Sequence, residues 1–213
     1  MEKRIRVGTR ASPLALKQVD EIIKLFRLKN IEIKTYNTTG DINRKTPISE
    51  IERTDFFTDT IDSALLKDRI DFAVHSAKDL PDELSDGLKI AVITKSIDSS
   101  DAIVSKNNLK LKELPLNAKI GASSKRRKQQ LKKYRPDFEI IDIRGNIDER
   151  LKKFEDYDLD GLIVATCALI RLGLEKKIAE VIPLEILKPH PLQGSLAVVI
   201  REDDYETEKL FKK

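Results

Sequence analysis

Lys78 and Asp79 stand side by side in the stretch His75-Ser76-Ala77-Lys78-Asp79-Leu80-Pro81, directly after Ile70-Asp71-Phe72-Ala73-Val74, which reads as a buried strand. A charged pair at the carboxyl end of a strand is poor core material. It is good site material, because open α/β sheets bind ligands outside the carboxyl ends of their strands. Pro81 fixes the turn that follows.

Similar chemistry recurs at other strand ends, at Arg10-Ala11-Ser12, Ser123-Ser124 and Arg144-Gly145-Asn146, and at Arg171 on a short helix. Counting Lys78-Asp79, four of these five places carry a cation and three open a helix. Helix N-termini present unpaired N–H groups and a positive dipole end, which suits anions. Arginine adds forked recognition of carboxylate or phosphate. Two lobes presenting such ends to each other would form an anion-binding cleft, with Asp79 as the acid among the cations.

The elements needed to hold these groups are legible in outline. Strands are expected at 5–9, 31–36, 70–74, 101–104, 119–121, 138–143, 161–165 and 196–200. Between them, helical spacing links Ala15, Val19, Ile22, Ile23 and Phe26 behind the cap Ser12-Pro13. Further helices are expected through Ile61, Ala64 and Leu65, after Ser123-Ser124, through Leu151 and Phe154, around 169–172 and from about Tyr205. Residues 41–56 read as a polar loop. Strand–helix alternation implies parallel pairing and an α/β fold. Segments near 94–100 and 188–194 read as crossings between two lobes.

Composition narrows the function classes. Forty basic against 36 acidic residues leave a net charge of only +4, so no polyanionic partner is demanded overall. One cysteine, Cys167, and two histidines, His75 and His190, argue against a disulfide or a Cys/His metal site. No apolar run approaches the roughly 20 residues of a membrane span. Met1-Glu2-Lys3-Arg4 runs straight into the first strand, so no leader is expected, and the cytoplasm is the expected location. Residues 125–135 hold seven basic residues and no acid, but few aromatics and no recognised nucleic-acid motif accompany them. A solvated helix face is the reading, with Arg126 and Arg127 turned to the cleft and Lys128, Lys132 and Lys133 to the surface. His75 reads as a hydrogen-bonded structural residue, and Cys167 as a small apolar residue packed under a sheet.

Several words in order carry a family resemblance: residues 6–15 (Arg-Val-Gly-Thr-Arg-Ala-Ser-Pro-Leu-Ala), residues 73–81, residues 121–127 (Gly-Ala-Ser-Ser-Lys-Arg-Arg), residues 143–146 (Ile-Arg-Gly-Asn), Arg171-Leu172-Gly173-Leu174, and Gln193-Gly194 with Leu196. Over essentially its whole length the chain resembles the hydroxymethylbilane synthase, or porphobilinogen deaminase, family. That resemblance implies head-to-tail condensation of porphobilinogen into a linear tetrapyrrole, with loss of ammonia, primed on a covalent dipyrromethane cofactor. Each pyrrole bears an acetate and a propionate. By resemblance, Arg10, Ser12, Lys78, Ser124, Arg126, Arg127, Arg144, Arg150 and Arg171 hold those carboxylates. Ser123, Gly145, Asn146, Gln193 and Gly194 belong to the same matched words, and Phe57 lies against pyrrole rings. Asp79 faces the pyrrole N–H groups and stabilises the cation left when ammonia departs.

The resemblance further implies two doubly wound α/β lobes like a type II periplasmic binding protein, one from 1–95 plus 195–213 and the other from 96–194. The family's third domain, whose cysteine anchors the cofactor, would begin where this chain ends at Lys213. The family lid Gly-Lys-Gly-Leu-Phe is here Arg53-Thr54-Asp55-Phe56-Phe57, and the Gly before Gln193 is Leu192. The attachment point is therefore open. A separate chain supplies the third domain, or this is a reduced pyrrole-binding member, or Cys167 is the anchor. The alternative function is a non-catalytic module that binds a small carboxylated, pyrrole-like ligand.

Overall fold

The computed structural model describes residues 4–42 and 58–212. The chain divides into two compact units. The first holds the described residues up to Ser96 and those from Ser195 onward; the second holds Ile97–Gly194.

The first unit is built on strands β1 (Ile5–Arg10), β2 (Ile31–Tyr36), β3 (Phe72–Ser76), β4 (Leu88–Ile93) and β10 (Leu196–Arg201), ordered β2-β1-β3-β10-β4. Its helices are α1 (Pro13–Phe26), α2 (Thr39–Ile42), α3 (Asp59–Leu66) and α7 (Tyr205–Lys209). Alternation along the strands sends side chains to two faces. On one, Val7, Phe72, Val74, Leu196, Val198 and Ile200 meet Val19 and Ile22 of α1, with Phe211 closing the cluster against Phe26 and Phe72. On the other, Ala73 and Val199 meet Ile61, Ala64 and Leu65 of α3. Each such fully buried aliphatic side chain contributes about 2 kcal/mol.

The second unit carries β5 (Asp101–Ser105), β6 (Lys119–Ala122), β7 (Glu139–Asp142), β8 (Gly161–Ala165) and β9 (Glu180–Ile182), ordered β7-β6-β8-β5-β9. Its helices are α4 (Lys125–Tyr134), α5 (Ile147–Asp156) and α6 (Thr166–Leu172). Leu131 is the buried apolar residue of α4, joining Ile103, Ile120, Phe138 and Ile163.

Both sheets are mixed, which corrects the expectation of parallel pairing. β1 runs parallel to β2 and β3, and β6 runs parallel to β7 and β8. β10, however, is antiparallel to β3 and β4, and β5 is antiparallel to β8 and β9. A strand that returns from far along the chain needs no crossover helix, so local alternation does not fix its direction. Two strands were not anticipated, β4 and β9; both are sheet edges with a third of their residues exposed to water.

β3 also sits two residues later than expected. Asp71 stands outside the ladder because it serves Arg6: its carboxylate accepts the Arg6 backbone N–H at 2.6 Å and Arg6 Nη2 at 2.8 Å. His75 and Ser76 are therefore inside the strand.

Candidate functional site

In the first unit the carboxyl ends of β1 and β3 lie at the same sheet edge, because the two strands run parallel. Arg10 ends β1, and Ser12 caps α1, its Oγ accepting the Ala15 N–H at 3.2 Å with Pro13 at the first helical position. The chain therefore turns from strand to helix within two residues and leaves Arg10 at the rim. Its guanidinium is paired: Nε donates to Asp41 Oδ2 at 3.1 Å and Nη2 to Asp41 Oδ1. Asp41 is held by the N–H and hydroxyl of Thr38. Burial works against both charges. It is outweighed by their mutual hydrogen bonds and fields, so Arg10 lies above and Asp41 below the ordinary range.

From β3 the chain passes into a single 3-10 turn, Ala77–Asp79. The Ala77 N–H donates to the Ser195 carbonyl at 3.0 Å, and Gln18 of α1 donates to Ser76 Oγ at 2.9 Å, so the turn is tied to β10 and to α1. Lys78 and Asp79 are half-buried on it. Asp79 is close enough to raise the Arg10 pKa and to act on His75. His75 is buried, and its Nε2 finds no hydrogen-bond partner. Burial pushes its pKa down to about 4, with Asp79 opposing and Arg10 adding to the shift. The ring is neutral at physiological pH.

In the second unit Ser123 is buried and donates to the Ile143 carbonyl at 2.6 Å, joining the ends of β6 and β7. Ser124 caps α4 by accepting the Arg127 N–H. Arg126 and Arg127 both converge on Asp101, which also accepts from Gln193. Gln193 Nε2 further donates to the carbonyls of Ser99 and Ser100, so this side chain is committed inside the unit.

After β7, Gly145 takes φ +119°, and Asn146 caps α5 in a reciprocal box with Glu149. A Cβ at Gly145 would lie 2.5 Å from Glu149 Oε2, so the box requires glycine there. Arg150 Nε donates to the Gly145 carbonyl at 2.7 Å, and Lys153 donates to the Arg144 carbonyl at 2.9 Å. Arg144 is half-buried on this loop. Arg171 near the end of α6 donates to the Gly194 carbonyl at 2.9 Å. Cys167 is buried on α6.

The expected residues thus fall into two sets. Arg10, Ser12, Lys78 and Asp79 share one sheet edge of the first unit. Ser123, Ser124, Arg126, Arg127, Gln193, Arg144, Gly145, Asn146, Arg150 and Gly194 occupy strand ends, first helical turns and adjoining loops of the second, and Arg171 the last turn of its helix α6. Phe57 and the whole 53–57 segment lie outside the described residues. The carboxylate partners Asp41 and Asp101 were missed. Asp101 did leave a signal, an acid opening an apolar strand, whereas Asp41 sits in a polar stretch and left none. No described helix is long and apolar enough to cross a membrane.

Two α/β units with mixed five-stranded sheets, bearing cations and helix starts at their strand ends, define the class of two-lobed, type II periplasmic-binding folds. Solved structures agree. The methionine binding protein MetQ has a TM-score of 0.59 at 16% identity, covering 98% of this chain and 88% of that one. The second substrate binding domain of a putative amino acid ABC transporter from Streptococcus pneumoniae gives 0.54 at 11% identity, covering 98% and 90%. These likenesses concern fold alone.

Sequence comparison is more specific. Residues 5–209 match the family model described as porphobilinogen deaminase, dipyromethane cofactor binding domain. The porphobilinogen deaminase of Chlorobium limicola is 42% identical over all of this chain and 69% of that protein. That of Syntrophomonas wolfei is 41% identical over 99% of this chain and 70% of that protein. The chain belongs to the porphobilinogen deaminase family.

Proposed function

We propose that this protein condenses porphobilinogen head to tail into a linear tetrapyrrole, releasing ammonia, with Asp79 as the catalytic carboxylate. The observation that carries the reading is the placing of Asp79 on a short, tied turn at the carboxyl end of β3, at the edge that also bears Arg10, in a chain of this family. A carboxylate fixed there lowers the cost of the positive charge that forms on the pyrrole's exocyclic carbon as ammonia leaves. The same group accepts a proton as the new ring regains aromaticity.

Arg10 and Lys78 from the first unit, and Arg126, Arg127, Arg144, Arg150 and Arg171 from the second, bind the acetate and propionate groups. Ser12 and Ser124 spend their oxygens as helix caps and donate their hydroxyl protons outward. Ser123, Gly145, Asn146, Gln193 and Gly194 shape the loops that carry the cations. Residues 1–95 with 195–213 act as one lobe and 96–194 as the other; the compact units support that division.

A dipyrromethane suits this donor set. Its acidic side chains meet guanidinium groups and helix starts, and Arg127 Nε is a buried donor without a partner. Lys78, Arg126, Arg127 and Arg144 would hold it, and when bound it supplies the pyrrole end to which new units add. Porphobilinogen and oligopyrroles are the partners, and the cytoplasm the location, in the same proposal.

The test is calorimetric titration with porphobilinogen and with its dimethyl ester. Loss of the charge-assisted contacts should weaken ester binding by at least about tenfold. Equal affinity for the two would contradict the reading.

A further inference from the structure

Arg126 and Arg127 converge on a carboxylate that has no place in the function described so far. Asp101 opens β5 and is fully buried, with a side-chain exposure of 0%. Its Oδ2 accepts from Arg126 Nη2 at 2.9 Å, and its Oδ1 from Arg127 Nη2 at 2.5 Å and Gln193 Nε2 at 2.8 Å. Burial alone would raise this carboxyl. The charge and hydrogen bond of Arg127, with the bonds from Arg126 and Gln193, hold it below the usual aspartate range. It is ionised at neutral pH.

The surroundings are strongly basic. α4 begins Lys125-Arg126-Arg127 with no acid in its first turn, where cations oppose the helix dipole. Arg127 is buried with 6% of its side chain exposed, while Arg126 keeps 28%. Two guanidinium groups and one carboxylate leave the cluster one net positive charge. Asp101 also occupies forked donors of the kind that an incoming carboxylate would take.

We propose that Asp101 is an internal competitor for the carboxylates of the acidic pyrrole ligand, setting the grip of Arg126 and Arg127 well below what two unopposed guanidinium groups would give. The inference rests on the function proposed above. A growing chain that must shift after each addition is served by a cation pair that can hand its donors back to an internal acid. Asp101 acts through the two arginines and is not itself a contact to ligand.

The experiment compares the full chain with Asp101→Asn and with Asp101→Asn/Arg127→Gln, reading porphobilinogen affinity by calorimetry and the unfolding midpoint without ligand. Asp101→Asn leaves a buried guanidinium without its counter-charge, so its midpoint falls. Porphobilinogen binding should nevertheless tighten on the order of tenfold, with a steeper salt dependence. The double variant restores a net charge of one, and both quantities return toward the parent. A purely structural aspartate would weaken stability and binding together.

Should Asp101→Asn fail to fold, Arg127→Gln against the double variant carries the same comparison. The double variant should bind more tightly, because the cluster's net charge rises from zero to one. Unchanged or weaker binding in folded Asp101→Asn, or a double variant no tighter than Arg127→Gln, overturns the Asp101 role alone. No porphobilinogen binding by the parent overturns the proposed function, and this inference with it.

Discussion

Asp71 and Arg6 form a four-point clasp: the carboxylate accepts the Arg6 backbone N–H, Nε and Nη2, while the Asp71 N–H returns to the Arg6 carbonyl at 2.7 Å. The clasp ties the first strand to the segment that leads into β3, and so sets where the Lys78-Asp79 turn falls. Asp71 is 4% exposed, whereas Asp68, which also meets Arg6 Nη2, is 72% exposed. Removing one partner of a buried pair costs about 3 kcal/mol or more, and an exposed pair contributes about 0.5 kcal/mol. Urea unfolding should therefore show Asp71→Asn losing several-fold more stability than Asp68→Asn. Equal losses would contradict the clasp.

His75 gives the fold a pH dependence of defined sign. Its folded pKa, about 4, lies below its ordinary 6.5 because burial disfavours the charged ring. The unfolded chain therefore binds the proton first as pH falls. The stability from His75 is fully present above pH 6.5 and is lost as pH falls through about 4, to a total of about 3 kcal/mol. His75→Leu should flatten the stability profile across that window. Asp41, Asp101 and Asp204 have folded pKa values below 3.8, so their contributions disappear at lower pH. A profile equally steep in His75→Leu would contradict the assignment.

Gly145 holds a backbone conformation that no other residue type accepts cheaply. At φ +119°, with Glu149 atoms 2.5 and 2.9 Å from where a Cβ would lie, alanine must break the Asn146–Glu149 box or shift the backbone. The cost is about 1–3 kcal/mol. Because Arg150 anchors to the Gly145 carbonyl, Gly145→Ala should lower the thermal midpoint and weaken porphobilinogen binding together. A variant that loses neither would show that the loop tolerates a side chain.

What could be read from the sequence was local. Ser12-Pro13, Ser123-Ser124 and Asn146 announce helix starts through residues only three positions apart, and all three caps form. The strand Gly161–Ala165 is an uninterrupted apolar run, and its limits agree with expectation. What escaped was non-local. The direction of β10 depends on partners more than 100 residues away. The placing of β3 depends on Asp71 finding Arg6, 65 positions earlier. Asp101 pairs with arginines 25 and 26 positions on, so its spacing carries no helical or strand period. The cations of the candidate site were legible by type; the acids that hold them were not.

The most direct measurement of the central claim is ammonia release from porphobilinogen by the full chain and by Asp79→Asn, with porphobilinogen affinity measured alongside. The substitution keeps size and removes the charge that meets the developing cation. Release should fall by at least about a hundredfold while affinity changes by less than about threefold. Release by Asp79→Asn at the parent rate would contradict the account, as would a parent chain that binds porphobilinogen and frees no ammonia.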